Sequence, residues 1–106
     1  MKVITVCGSL RFQREMEEIA LKLELEGNCV LLPIFPINGD KDNYTEEEMN
    51  ILGKMHYERI KISDAILVVN VDNYIGSSTK SKIEYAESLN KEIMYYMDFS
   101  NNTNDK

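Results

Sequence analysis

The residues best placed by type and spacing to do chemistry lie between Asp72 and Glu84, in the run Asp-Asn-Tyr-Ile-Gly-Ser-Ser-Thr-Lys-Ser-Lys-Ile-Glu. This run follows the strongest strand signal in the chain, Ala65-Ile-Leu-Val-Val-Asn-Val71, and its composition predicts a polar loop opening a helix near Ser78. A Gly-Ser loop between a buried parallel strand and a helix N-terminus presents free backbone N–H groups, which suit anionic ligands. Glu84 falls about one and a half turns into that helix, and is read as a candidate catalytic carboxylate beside whatever the loop holds. The competing reading is a solvated helix residue.

A second polar loop, Cys7-Gly8-Ser9-Leu10-Arg11, follows the first apolar run. Its N–H groups, the Ser9 hydroxyl and the Arg11 guanidinium are phosphate or sugar ligands by type. A tight turn with a surface arginine has the same composition. A phosphatase signature requires Cys, five residues and then Arg. Position 13 is Gln and Arg14 comes one residue too late. Cys7 reads instead as a small buried hydrophobe. No Gly-Lys-Ser/Thr follows the loop, so it is not a Walker A motif. His56 lies on or beside an apolar stripe, where a satisfied core histidine is the ordinary case. Asp64 precedes its strand and suits a cap or turn. Tyr85, Tyr95 and Tyr96 read as packing residues.

The bulk numbers bound the possibilities. A chain of 106 residues has room for one domain, and 43% hydrophobic content supports a compact core. A net charge of −6 argues against nucleic acid and anionic membranes as partners, because both require clustered Lys and Arg. No run approaches 18 apolar residues, so no membrane span is predicted. Met1 to Val6 is too short for a signal-peptide core. A cytoplasmic setting is expected, with Cys7 and Cys29 as reduced thiols. No Cys/His cluster has zinc-ligand spacing, there is a single histidine, and neither metal nor cofactor is expected.

The elements that must position these loops follow from periodicity. Lys2–Cys7 reads as a buried strand. Phe12, Met16, Ile19, Ala20 and Leu23 recur at helical spacing, and Gly27-Asn28 ends that helix. Cys29–Ile34 is a second strand, confined at its end by Pro33 and Pro36. A loop over 35–44 turns at Asn38-Gly39-Asp40. Thr45-Glu-Glu-Glu48 is a capping box opening a helix to about Ile62, with Met49, Leu52, His56 and Ile60 on one face. A third helix spans roughly Ser78–Leu89, and Ile93–Met97 is the last strand. The order β-α-β-α-β-α-β predicts an α/β, Rossmann-like domain over 1–99, followed by a polar tail over 100–106. Its four- or five-stranded parallel sheet takes the order 2-1-3-4, with helices on both faces. The order reverses between strands 1 and 3. The two polar loops meet at that switch point, where open parallel sheets bind ligands. Ile51, Met55, Tyr57 and Tyr85 lie beyond one stripe of the second and third helices, which predicts a homodimer through them.

Val6-Cys-Gly-Ser-Leu-Arg11 resembles the first-strand motif of the 2′-deoxynucleoside 5′-monophosphate N-glycosidases, of the nucleoside 2-deoxyribosyltransferase superfamily. Ser63-Asp-Ala-Ile-Leu-Val-Val69 resembles the strand before their active-site loop, and Glu84-Tyr-Ala86 the segment carrying their nucleophilic glutamate. The resemblance runs along nearly the whole chain in the same order. It implies that Glu84 attacks the anomeric carbon of a deoxyribose and displaces the base through an oxocarbenium-like transition state. Asp64 matches the family's aspartate at the start of this strand. His56 takes the position of its leaving-group acid, as an imidazolium. Gly8, Ser9 and Arg11 hold sugar and 5′-phosphate, helped by Ser78; Cys7, Leu10, Asp72, Gly76 and Ser77 complete the implied substrate-binding set. The chain departs from the family at Lys80 and Lys82, where glycines are usual, and at Thr5, where an aromatic is usual. These lysines either close the site or add phosphate ligands. The implied partner is a small nucleoside or nucleotide, bound by a homodimer. Three functions follow: cleavage or transfer of an N-glycosidic bond, nucleotide binding or sensing without turnover, and cleavage of NAD or ADP-ribose.

Overall fold

The computed structural model describes residues 1–37 and 43–99. The expected turn at Asn38-Gly39-Asp40 and the tail over 100–106 lie outside the described residues. The chain runs β1 (Val3–Gly8), a turn of 3-10 helix (Leu10–Phe12), α1 (Gln13–Leu25), β2 (Cys29–Leu31), α2 (Glu46–Ile62), β3 (Ala65–Val69), a second 3-10 turn (Val71–Asn73), α3 (Ser77–Ser88) and β4 (Glu92–Tyr95). All three strand pairs are parallel and the sheet order is β2-β1-β3-β4, as the alternating pattern predicts.

β1 and β3 pair from Ile4 opposite Ala65 to Gly8 opposite Val69. All five residues of β3 are buried, as expected of a central strand covered on both faces. Side chains alternate between those faces. Ile4, Val6, Leu67 and Val69 pack with Met16, Ile19 and Leu23 of α1. Cys7, Ile66 and Val68 pack with Ile60 of α2 and Ala86 of α3. One face therefore belongs to α1, and the other to α2 and α3.

Local chemistry sets the element ends. Thr45 Oγ1 accepts from the Glu48 N–H at 3.0 Å, and Glu48 Oε1 accepts from the Thr45 N–H at 2.9 Å, completing the capping box. Gly27 ends α1 with φ +96°, a conformation glycine adopts without a Cβ clash. β2 stops at Leu31, three residues before the predicted end, because Pro33 has no N–H to donate and restricts Leu32. β3 stops at Val69, two residues early. Asn70 bends away, and Asp72 and Asn73 take left-handed φ of 54° and 64°, which Asp and Asn tolerate better than most side chains.

Two residues expected on a dimer face have partners within the chain. Tyr57 and Tyr85 pack edge to face, with ring centroids 5.1 Å apart. Thr5 is fully buried and shares a hydrogen bond with Ser63. Among the described residues, no helix is long and apolar enough to cross a membrane, and no group of three or more His, Cys, Asp or Glu is placed to hold a metal ion.

Candidate functional site

The two polar loops meet at the carboxyl ends of β1 and β3. Gly8 makes this possible. Its φ is +155°, and a Cβ there would stand 2.9 Å from Met16 Cε and 3.0 Å from the Val69 carbonyl oxygen. The chain then turns at Ser9, whose Oγ accepts from the Arg11 N–H at 3.4 Å. Across the switch point, Gly76 caps α3 without a side chain to offer. The first N–H groups of α3 have no partners within the helix. That end carries the positive pole of the helix dipole.

A cleft of about 390 Å³ opens between these loops and α2. Gly8, Ser9 and Leu10 form one wall, and Tyr74 with Gly76–Thr79 and Lys82 forms another. Met49, Leu52, Gly53 and His56 of α2 close a third side, with Pro33 and Ile34 at the edge. Hydroxyl groups and free N–H groups therefore face an apolar wall, with one ammonium group between them.

The charged and titratable groups at the base of the cleft form a small cluster. His56 is buried, and its Nε2 lies 3.0 Å from the Val6 carbonyl oxygen. A carbonyl only accepts, so Nε2 carries the hydrogen and donates it. The Cys7 Sγ lies 3.9 Å from the same nitrogen. Burial, and next the Lys82 charge, push the His56 pKa down to about 4. Burial pushes the Cys7 thiol up to about 12, opposed by Lys82. Burial also lowers the pKa of Lys82, partly offset by Cys7. Around neutral pH the imidazole and the thiol are both uncharged.

The structure divides the predicted site residues. Gly8, Ser9, Leu10, His56, Gly76, Ser77 and Ser78 line the cleft together. Cys7 lies beneath it, fully buried. Arg11 is exposed, its guanidinium 3.9 Å from the centroid of the Tyr74 ring and 5.2 Å from that of Phe12, so it stacks at the rim rather than reaching in. Asp72 is exposed on its left-handed turn and does not line the cleft.

Three catalytic expectations meet a different geometry. Asp64 sits at the opposite end of β3, about 16 Å away by the rise of a five-residue strand. Its Oδ2 accepts from the Val3 N–H at 2.8 Å, so it caps the start of β1, which is its cap reading. His56 lines the cleft, but as a neutral imidazole rather than the expected imidazolium. Glu84 is exposed and does not line the cleft. At 100° per residue, the face of α3 that presents Ser78 and Thr79 next presents Lys82, and Glu84 lies about 200° further round. Among the described residues, no Asp or Glu lines the cleft.

Thr79 is the polar lining residue that the sequence reading left out of its site, and Lys82 entered that reading only as a departure that either closes the site or adds a phosphate ligand. Lys82 follows Ser78 by four residues and Thr79 by three, and this shared helix face is the signal that finds them once the loop is known to face the ligand.

No family model and no curated protein matches the chain. Solved structures do share its fold. The Clostridium botulinum CMP N-glycosidase BcmB aligns with a TM-score of 0.58 and 20% identity, over 89% of this chain and 67% of that one. The 2-deoxyribosyltransferase from Leishmania mexicana aligns with a TM-score of 0.65 and 16% identity, over 90% of this chain and 63% of that one. The chain thus spans about two thirds of the length of each. The fold that the sequence resemblance implied is the fold of the chain.

Proposed function

We propose that the cleft binds a nucleoside 5′-monophosphate and holds it without cleaving its glycosidic bond through Glu84. The observation that carries this reading is the lining itself. It offers the open N-terminus of α3, the hydroxyls of Ser9, Ser77, Ser78 and Thr79, and Lys82 as its charged group, with no carboxylate among the described residues that line it. The phosphate belongs at the first turn of α3, where N–H groups and dipole favour an anion. The apolar residues Met49 and Leu52 on α2 suit the flat face of a base.

Electrostatics separates binding from cleavage. Departure of the base leaves positive charge on the sugar ring. An ammonium group about 4 Å from that charge raises its energy by about 4 kcal/mol at an effective dielectric of about 20. That corresponds to roughly a thousandfold in rate. The Lys82 ammonium therefore favours the intact, anionic nucleotide over the transition state of its cleavage.

Cleavage or transfer of the N-glycosidic bond is the second reading, favoured by the names of the two structures that share the fold. Titration calorimetry with deoxynucleosides, their 5′-monophosphates and NAD, with free base followed by chromatography, separates the readings. Binding without turnover predicts tighter binding of a monophosphate than of its nucleoside, and no free base. Base release that disappears in Glu84→Gln would establish the second reading instead. We also propose that two copies associate through the outer face of α2, where Ile51 and Met55 are 50% and 45% exposed.

A further inference from the structure

We propose that Lys82 captures the open-chain aldehyde of a sugar phosphate as a reversible imine, with the phosphate held at the N-terminus of α3. This rests on the reading that the cleft accepts a phosphorylated sugar there, and it adds a covalent activity which that reading does not contain.

Position comes first. Lys82 follows Ser78 and Thr79 on the cleft face of α3, and the four steps from Ser78 to Lys82 rise about 6 Å along the helix axis. A five-carbon chain with a phosphate at one end and a carbonyl at the other is of similar length. The backbone of Lys82 and the anion-binding turn are thus about as far apart as the two ends of one pentose phosphate, and both line the same cleft.

The amine is also suited to the chemistry. Lys82 is half-buried, and the ion pairs among the described residues, Lys2–Glu92 and Arg14–Glu18, do not involve it. Its titratable neighbours Cys7 and His56 are uncharged around neutral pH. Burial lowers its own pKa and enlarges the neutral fraction that can attack a carbonyl. Lys80, two residues earlier, is exposed and has no such setting.

The step balances without an oxidant or co-reactant. The Nζ lone pair forms a bond to the aldehyde carbon, and the carbonyl oxygen takes up a proton to give a carbinolamine. That oxygen leaves as water while the nitrogen gives up a proton and the C=N bond forms. Addition of water reverses the sequence and returns the aldehyde.

Borohydride trapping tests this. The native protein is incubated with ribose 5-phosphate, reduced with sodium borohydride, and analysed by intact mass and peptide mapping. The expected result is a saturable gain of one sugar phosphate less one oxygen per chain, located on Lys82, lost in Lys82→Arg and retained in Lys80→Arg. Label spread over surface lysines without saturation, or unchanged in Lys82→Arg, would overturn the proposal. Should Lys82→Arg fail to fold, as judged by circular dichroism, the peptide map of the native protein decides alone. A parallel titration with AMP keeps the two ideas apart. Nucleotide binding with no label on Lys82 overturns the imine only. Label on Lys82 with no nucleotide binding supports the imine and overturns the nucleotide reading.

Discussion

Lys82 and Glu84 lie on different faces of α3: Lys82 enters the cleft, and Glu84 stands in solvent two residues later. Helical geometry alone sets this difference, since two residues turn the side chain through about 200°. The charge that the cleft presents to a ligand is therefore positive where the sequence reading expected a carboxylate. Lys82→Met should weaken binding of a nucleoside 5′-monophosphate by about 1.5–3 kcal/mol, the usual worth of a hydrogen bond to a charged group. Glu84→Gln should leave affinity and stability within about 0.5 kcal/mol, as for an exposed residue without partners. Titration calorimetry of both variants checks the pair, and a larger loss from Glu84→Gln would reverse their roles.

His56 should make stability depend on pH. Its pKa falls from an unfolded value of 6.5 to about 4 in the folded chain, so the unfolded state binds more protons between these values. The contribution is complete above about pH 6.5 and is lost as pH falls towards 4. It amounts to at most about 3 kcal/mol at 1.36 kcal/mol per unit. Urea unfolding at pH 7.5, 6, 5 and 4.5 should show this loss, and His56→Gln should flatten the profile across that window. An unchanged slope in His56→Gln would mean that His56 titrates normally in the folded state.

Gly8 holds the first loop against its neighbours. A methyl group in Gly8→Ala would meet the Val69 carbonyl oxygen at 3.0 Å and Met16 Cε at 2.9 Å, in a backbone conformation unfavourable for alanine. Overpacking of this kind costs about 1–3 kcal/mol. Because the clash with Val69 is with backbone, β1 and β3 must separate at the cleft. Denaturant unfolding should show the loss of stability, and calorimetry a weaker nucleotide affinity in the same variant. Full retention of both would place the loop elsewhere.

Association through α2 predicts that light scattering finds twice the monomer mass, and that Met55→Glu restores the monomer. Met55 is 45% exposed, so an added charge there costs the single chain little. A monomer at every concentration tested would exclude this interface.

The sequence made the architecture legible where one rule acted alone. The five buried residues of β3, the Met16–Leu23 stripe of α1 and the Thr45–Glu48 capping box each follow from periodicity or local hydrogen bonding. The switch point followed from strand order, and it brought Ser9 and Ser78 to one cleft. Assignments made by residue type rather than by direction met a different geometry. Glu84 has a suitable carboxylate, but its azimuth on α3 depends on where the helix begins and which face packs on β3. Asp64 precedes the right strand but lies at its wrong end, because parallel strands gather ligands at their carboxyl ends. The neutral state of His56 required its burial and the nearby Lys82 charge, neither of which is local in sequence.

The central claim is that Lys82 and the first turn of α3, rather than Glu84, hold an intact nucleotide. A crystal structure of the protein grown with dCMP tests it most directly. The account predicts an unbroken glycosidic bond and phosphate oxygens within about 3 Å of the first N–H groups of α3, at ordinary hydrogen-bond distance. It also predicts the Lys82 ammonium facing the ligand, with Glu84 in solvent. A Glu84 carboxylate against the anomeric carbon, or a free base with its sugar bonded to that residue, would contradict it.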